Sequence, residues 1–113
     1  MSRKKKWQGE EAHDHICDLA QSELERRGFK TLDHYRYISD FACGELDIFA
    51  FKPEYKTAIL IEVKYNDNYK NRKKADSQTK RAVEHCQVLQ QFDKIIRMYA
   101  YHNGNGYELH KLR

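Results

Sequence analysis

The sequence predicts an α/β domain in which helices pack against a mixed central sheet. Three observations carry that expectation. Residues 9–27 place Ala12, Ile16, Leu19, Ala20 and Leu24 at helical spacing. Residues 46–51 and 57–64 are apolar runs rich in β-branched and aromatic residues, joined by the turn material Lys52-Pro53-Glu54. Residues 78–92 return to helical spacing through Ala82, Val83, Cys86, Leu89 and Phe92, and the run KIIRMYAY follows as a strand. With residues 29–39 read as the first strand, the order is helix, three strands, helix, then one or two strands. The first three strands make an antiparallel meander, and the second helix crosses over to a fourth strand.

The 113 residues form one expected domain, 1–113, with 40% hydrophobic and 34% charged side chains. No run approaches the roughly 18 apolar residues of a membrane span. The basic residues near the start precede no apolar stretch, so no secretory signal is expected. Cys17, Cys43 and Cys86 are odd in number and lack C-x-x-C spacing, which points to reduced thiols in a cytoplasmic setting. A net charge of +4 and a pI near 8.9 permit a polyanionic partner.

Each element has local reasons. Residues 1–8 form a basic arm, with Arg3, Lys4, Lys5 and Lys6 suited either to phosphate contact or to keeping a terminus soluble. The first helix has Glu10, Glu11 and Asp14 in its first turns, Arg26 and Arg27 in its last, and Gly28 as its stop signal. Within it, His13 and His15 diverge by about 200° and cannot share an ion, whereas His13 and Cys17 are four apart and can meet. The first strand is expected to begin near Tyr35, after a bend at Leu32-Asp33-His34, and carries Arg36 as a candidate phosphate contact. Residues 66–76 read as a mobile basic loop, with Tyr65 and Tyr69 interleaved among Lys70, Arg72, Lys73 and Lys74. The second helix is expected to be capped at Asp76 or Ser77, which puts Gln78, Lys80 and Arg81 in its first turns. Asn103-Gly104 and Asn105-Gly106 mark a turn, and residues 107–112 alternate as an edge strand.

Charges interrupt the central strands at three points. Asp47 sits inside the first apolar run, and Glu62 and Lys64 end the second. Strand alternation points Glu62 and Lys64 the same way, about 7 Å apart, and an antiparallel partner brings Asp47 across from them. They can form an ordinary cross-strand ion pair. They can also form a site for Mg2+, which takes one or two carboxylates and leaves positions for water and phosphate oxygens. Gly44, just before the first of these strands, suggests a close backbone approach there.

Asp47 followed by Glu62-Val63-Lys64, within GELD…IEVK, resembles the core motif of the PD-(D/E)xK nuclease superfamily. The chain is similar to small archaeal Holliday-junction resolvases and related small bacterial nuclease-like proteins over residues 7 to 100. The resemblance implies a restriction-endonuclease-like αβββαβ core and a metal-dependent endonuclease. Asp47 and Glu62 would hold Mg2+, with Mn2+ able to substitute, the Val63 carbonyl would be a third protein ligand, and Lys64 would position the attacking water. A first-helix glutamate would complete the site. Glu10 fits better than Glu11, because it lies nearer the apolar stripe and within a G-E-x-A run. Gln78 would be an accessory residue. The implied partner is branched DNA, bound by a homodimer. The sequence does not itself show the interface; Tyr99, Tyr101 and Tyr107 on the C-terminal strands are candidate contributors, and no small-molecule cofactor or membrane is implied.

Overall fold

The computed structural model describes residues 11–103 and 106–113. Arg3, Lys4, Lys5, Lys6 and Glu10 therefore lie outside the described residues. Helix α1 (Ala12–Arg26) leads into strands β1 (Lys30–Ile38), β2 (Cys43–Lys52) and β3 (Thr57–Lys64). Helix α2 (Tyr69–His85) follows, then a 3-10 turn (Gln87–Gln91), β4 (Lys94–His102) and β5 (Tyr107–Lys111). The five strands form one sheet in sequence order. Its pairs are antiparallel except β3 with β4, which run parallel across the α2 crossover. The expected α/β architecture and αβββαβ order are present, with β5 as an added edge. Among the described residues no helix is long and apolar enough to cross a membrane.

The helices cover opposite faces of the sheet. Ile16, Cys17, Ala20 and Leu24 of α1 pack with Ile48, Ala50, Ile59, Ile61 and Val63. On the other face Ala82, Cys86 and Leu89 pack with Tyr37, Leu46, Phe49, Ala58 and Leu60. Helix α1 stops where the sequence indicates: Gly28 takes φ +93° and donates to Glu25, and Phe29 donates to Leu24.

Three expectations are corrected. Residues 66–76 are not a loop, because α2 begins at Tyr69, capped by the Asn68 side chain accepting from Asn71 N–H at 2.8 Å. The buried face of α2 is made of small residues, Ala75, Thr79 and Ala82, so its early turns lack the large apolar residues that signal a helix. The helix ends at His85, and Leu89 is buried from the 3-10 turn. The second correction is Gly44. A Cβ there would lie 2.5 Å from the Tyr37 hydroxyl, so this glycine makes room for a buried ring and not for a ligand. Finally, Tyr99 is fully buried and donates to the Asn66 carbonyl at 2.7 Å, while the Tyr107 hydroxyl donates to Glu23. Both rings hold elements of their own chain together.

Strand β1 starts at Lys30, before the expected bend, and the bend survives inside it as a local twist. His34 has φ +48°. It stands opposite Asp47 in the β1–β2 register, between the pairs Asp33↔Ile48 and Tyr35↔Leu46. The alternation of β2 slips at the same point, since Leu46 and Phe49 both pack toward α2 while Ile48 packs toward α1. Strict period-2 geometry would put Leu46 and Ile48 on one face.

Arg97 on β4 ties α2 to the sheet. It donates to Asp76 Oδ1 at 2.6 Å and to Thr79 Oγ1 at 3.2 Å, while Lys80 meets Asp76 Oδ2 at 3.1 Å. The Arg97 contact, more than Lys80, holds the Asp76 carboxyl below its ordinary value. A depressed acid adds stability above its unfolded value, and that stability is lost as pH falls through the folded one. With the Asp76 side chain about a third exposed and the pair screened by solvent, Asp76→Asn is therefore expected to cost about 0.5–1 kcal/mol at pH 7. Urea unfolding should show the difference closing below about pH 4.

Candidate metal and nucleic-acid site

The site lies where β2 and β3 part. Their backbone ladder runs from Lys52↔Thr57 to Ile48↔Ile61 and stops one pair short of Asp47 and Glu62. Side chains take over there. The Asp47 N–H donates to Glu62 Oε2 at 3.1 Å, and the Val63 N–H donates to Asp47 Oδ2 at 2.8 Å. Each carboxylate thereby satisfies a backbone donor that the parted strands would leave unmet. The exchange also holds two acids side by side.

Glu62 is 2% exposed. Burial, and secondly the neighbouring Asp47, push its pKa up to about 8. Desolvation and a like charge both disfavour the anion. The Asp47 N–H and the Lys64 and His13 charges oppose the shift without cancelling it.

The compensating charge comes from α1. His13 Nε2 lies 3.3 Å from Asp47 Oδ2, and its Nδ1 faces Cys17 Sγ at 3.9 Å and Asp14 Oδ1 at 3.7 Å. The Asp47 contact, then Cys17, raises the imidazole to about 10, so His13 is a cation at neutral pH. Burial raises the Cys17 thiol, which stays protonated.

A cleft of about 780 Å3 opens over these groups, lined by His13, Asp14, His34, Asp47, Glu62, Val63, Lys64, Tyr65, Asn71 and Gln78. The structure thus gathers Asp47, Glu62, Val63, Lys64 and Gln78, all named from the sequence. Gln78 arrives from the middle of α2, not from its first turn. His13, Asp14, His34 and Asn71 are additions. His13 was visible as a partner for Cys17, four residues on, but its reach to Asp47 depends on the packing of α1. His34 depends on the β1 twist. Ligand atoms of His34, Glu45 and Asp47 lie within 4.8 Å of one another.

The basic candidates divide. Lys70, Lys73 and Lys74 line a groove beside the cleft. Arg72 is bound to Asp67 through two hydrogen bonds of 2.7 and 2.9 Å, Lys80 to Asp76, and Arg36 to Glu45 at 3.3 Å. Arg81 is exposed on α2 and lines neither cavity.

The sequence matches no protein-family model and no curated protein.

The Glu62 environment yields a stability prediction. An acid whose folded value is raised contributes stability that is full below its ordinary 4.5 and lost as pH rises through about 8. Glu62→Gln removes that loss and keeps an acceptor for the Asp47 N–H. In chelating buffer it should match the wild type near pH 4.5 and exceed it by on the order of 2 kcal/mol at pH 9. The His13 contribution, full below 6.5 and lost as pH rises through about 10, is common to both proteins. Parallel stability curves for the two across this range would contradict the assignment.

Proposed function

We propose that the protein is a divalent-metal-dependent endonuclease that hydrolyses phosphodiester bonds in DNA. The reading rests chiefly on the paired carboxylates of Asp47 and Glu62, fixed at the parting of two strands with Lys64 in the same cleft. Burying two acids this close is costly without a cation.

The donor set fits a hard divalent ion. Asp47 Oδ2 and Glu62 Oε2 are held by backbone N–H groups, and each carboxylate has a second oxygen for coordination. Glu62 is a better partner for Asp47 than Glu45, which is already neutralised by Arg36 and faced by His34 at 3.2 Å. Asp47, Glu62 and the Val63 carbonyl would therefore hold Mg2+ or Mn2+. Glu10 is proposed as the helix carboxylate of the set. When bound, such an ion stabilises the extra negative charge at phosphorus and on the departing 3′-oxygen.

The protein's own groups have separate tasks. Glu62 and Asp47 orient each other through the backbone. Lys64, two residues after Glu62 on β3, positions the attacking water or neutralises a phosphate oxygen. His13 sets a positive charge against Asp47 Oδ2, at 3.3 Å. Gln78 and Asn71 border the cleft as hydrogen-bonding groups for substrate.

Branched DNA is the proposed substrate, and a homodimer follows from the need for two incisions at a two-fold junction. The proposed setting is intracellular, alongside DNA.

The test compares a labelled four-way junction with linear duplex, single strand and flap of the same sequence, in magnesium and in chelator. The wild type is expected to make paired, symmetric nicks in the junction with magnesium. Asp47→Asn should cut at least about a hundredfold more slowly. Cutting of the other substrates alone would overturn the junction assignment, and failure to cut any of them would overturn the nuclease reading.

A further inference from the structure

The catalytic cleft continues into a second cavity, of about 720 Å3, lined by Lys64, Tyr69, Lys70, Lys73, Lys74, Ser77 and Gln78. Lys64 and Gln78 belong to both. No carboxylate lines this groove. Among the described residues its four lysines make no salt bridge, whereas Arg72, Lys80 and Arg97 nearby are each paired with an aspartate. Lys64 faces the acid pair across the cleft, but Lys70, Lys73 and Lys74 are three ammonium groups around one concavity that repel one another, and a polyanion relieves that repulsion.

The groove also carries an aromatic side chain. Tyr69 is 78% exposed, and Lys73 Nζ sits 5.8 Å from the centre of its ring. An exposed ring gains little in water and gains by stacking on a flat partner. In a duplex the faces of internal bases are already stacked on their neighbours, so only an unpaired base can use this ring. Exposed aromatics interleaved with lysines suit single strands, where phosphates meet cations and bases meet rings. From Lys70 to Gln78 the helix advances about 12 Å. That accommodates roughly three nucleotides of a stacked strand.

We propose that the α2 groove binds an unpaired DNA strand adjoining the scissile bond, with Lys70, Lys73 and Lys74 on its phosphates and a base stacked on Tyr69. This deepens the nuclease reading by naming a feature that separates flapped DNA from continuous duplex; a four-way junction, whose arms are fully paired, meets it only where base pairs at the branch point open. It rests on that reading for the reaction but not for the binding.

Binding is measured by fluorescence anisotropy in chelator, where no metal-dependent cleavage occurs. The probes are a twelve-nucleotide oligothymidylate and a hairpin duplex carrying the same number of phosphates. The wild type is expected to favour the single strand. Tyr69→Ala should weaken single-strand binding about tenfold. Its duplex affinity should stay within about twofold, because backbone contacts carry that binding, and Tyr69→Phe should retain the wild-type preference. The triple variant Lys70→Ala, Lys73→Ala, Lys74→Ala should lower the slope of log affinity against log salt by about 2. Unchanged single-strand affinity in Tyr69→Ala, or an equal loss on duplex, would overturn the inference. Since no metal is used, a protein that fails to cleave DNA can still pass this test, and an active nuclease can fail it.

Discussion

Two hydrogen bonds between backbone and carboxylate, Asp47 N–H to Glu62 and Val63 N–H to Asp47, are the constraint on which the rest of the site depends. They form where the β2–β3 ladder ends. Without them the parted strands would leave two inward-facing amides unpaired, at a cost of about 1–3 kcal/mol each. With them, the same carboxylates are pinned in place and brought close together. A structural need of the sheet and an electrostatic imbalance thus share the same atoms.

The surroundings follow from that imbalance. Helix α1 contributes a charged His13, and β3 contributes Lys64, so two cations face the acid pair from different elements. The twist at His34 and the slip in β2 alternation turn Asp47 toward α1 while Leu46 and Phe49 stay buried against α2. Burial on one face and chemistry on the other are reconciled by one locally irregular pair of residues. Helix α2 then extends the positive side of the site along a groove, anchored to the sheet through the Asp76–Arg97 contact.

Much of this was legible in the chain. The central strands, their turn, the first helix and its glycine stop were marked by strong local signals. Asp47, Glu62 and Lys64 stood out because charge broke otherwise apolar strands. The start of α2 was not legible, since its buried face uses alanine and threonine and its early turns resemble a basic loop. The role of His13 depends on tertiary packing, which spacing along one helix does not encode. Gly44 misled for a related reason, because the ring that demands the space belongs to the neighbouring strand. The pairing of Arg72 with Asp67 likewise removed one cation from a group that looks uniform in sequence.

The most direct measurement is a calorimetric titration of Mn2+ and Mg2+ into metal-stripped protein, with wild type beside Asp47→Asn and Glu62→Gln. Saturable binding of one or two ions by the wild type, lost or weakened at least tenfold in either variant, is predicted for a carboxylate pair that holds the metal. Binding that is absent from the wild type, or unchanged in both variants, would contradict the claim that this pair is a metal site.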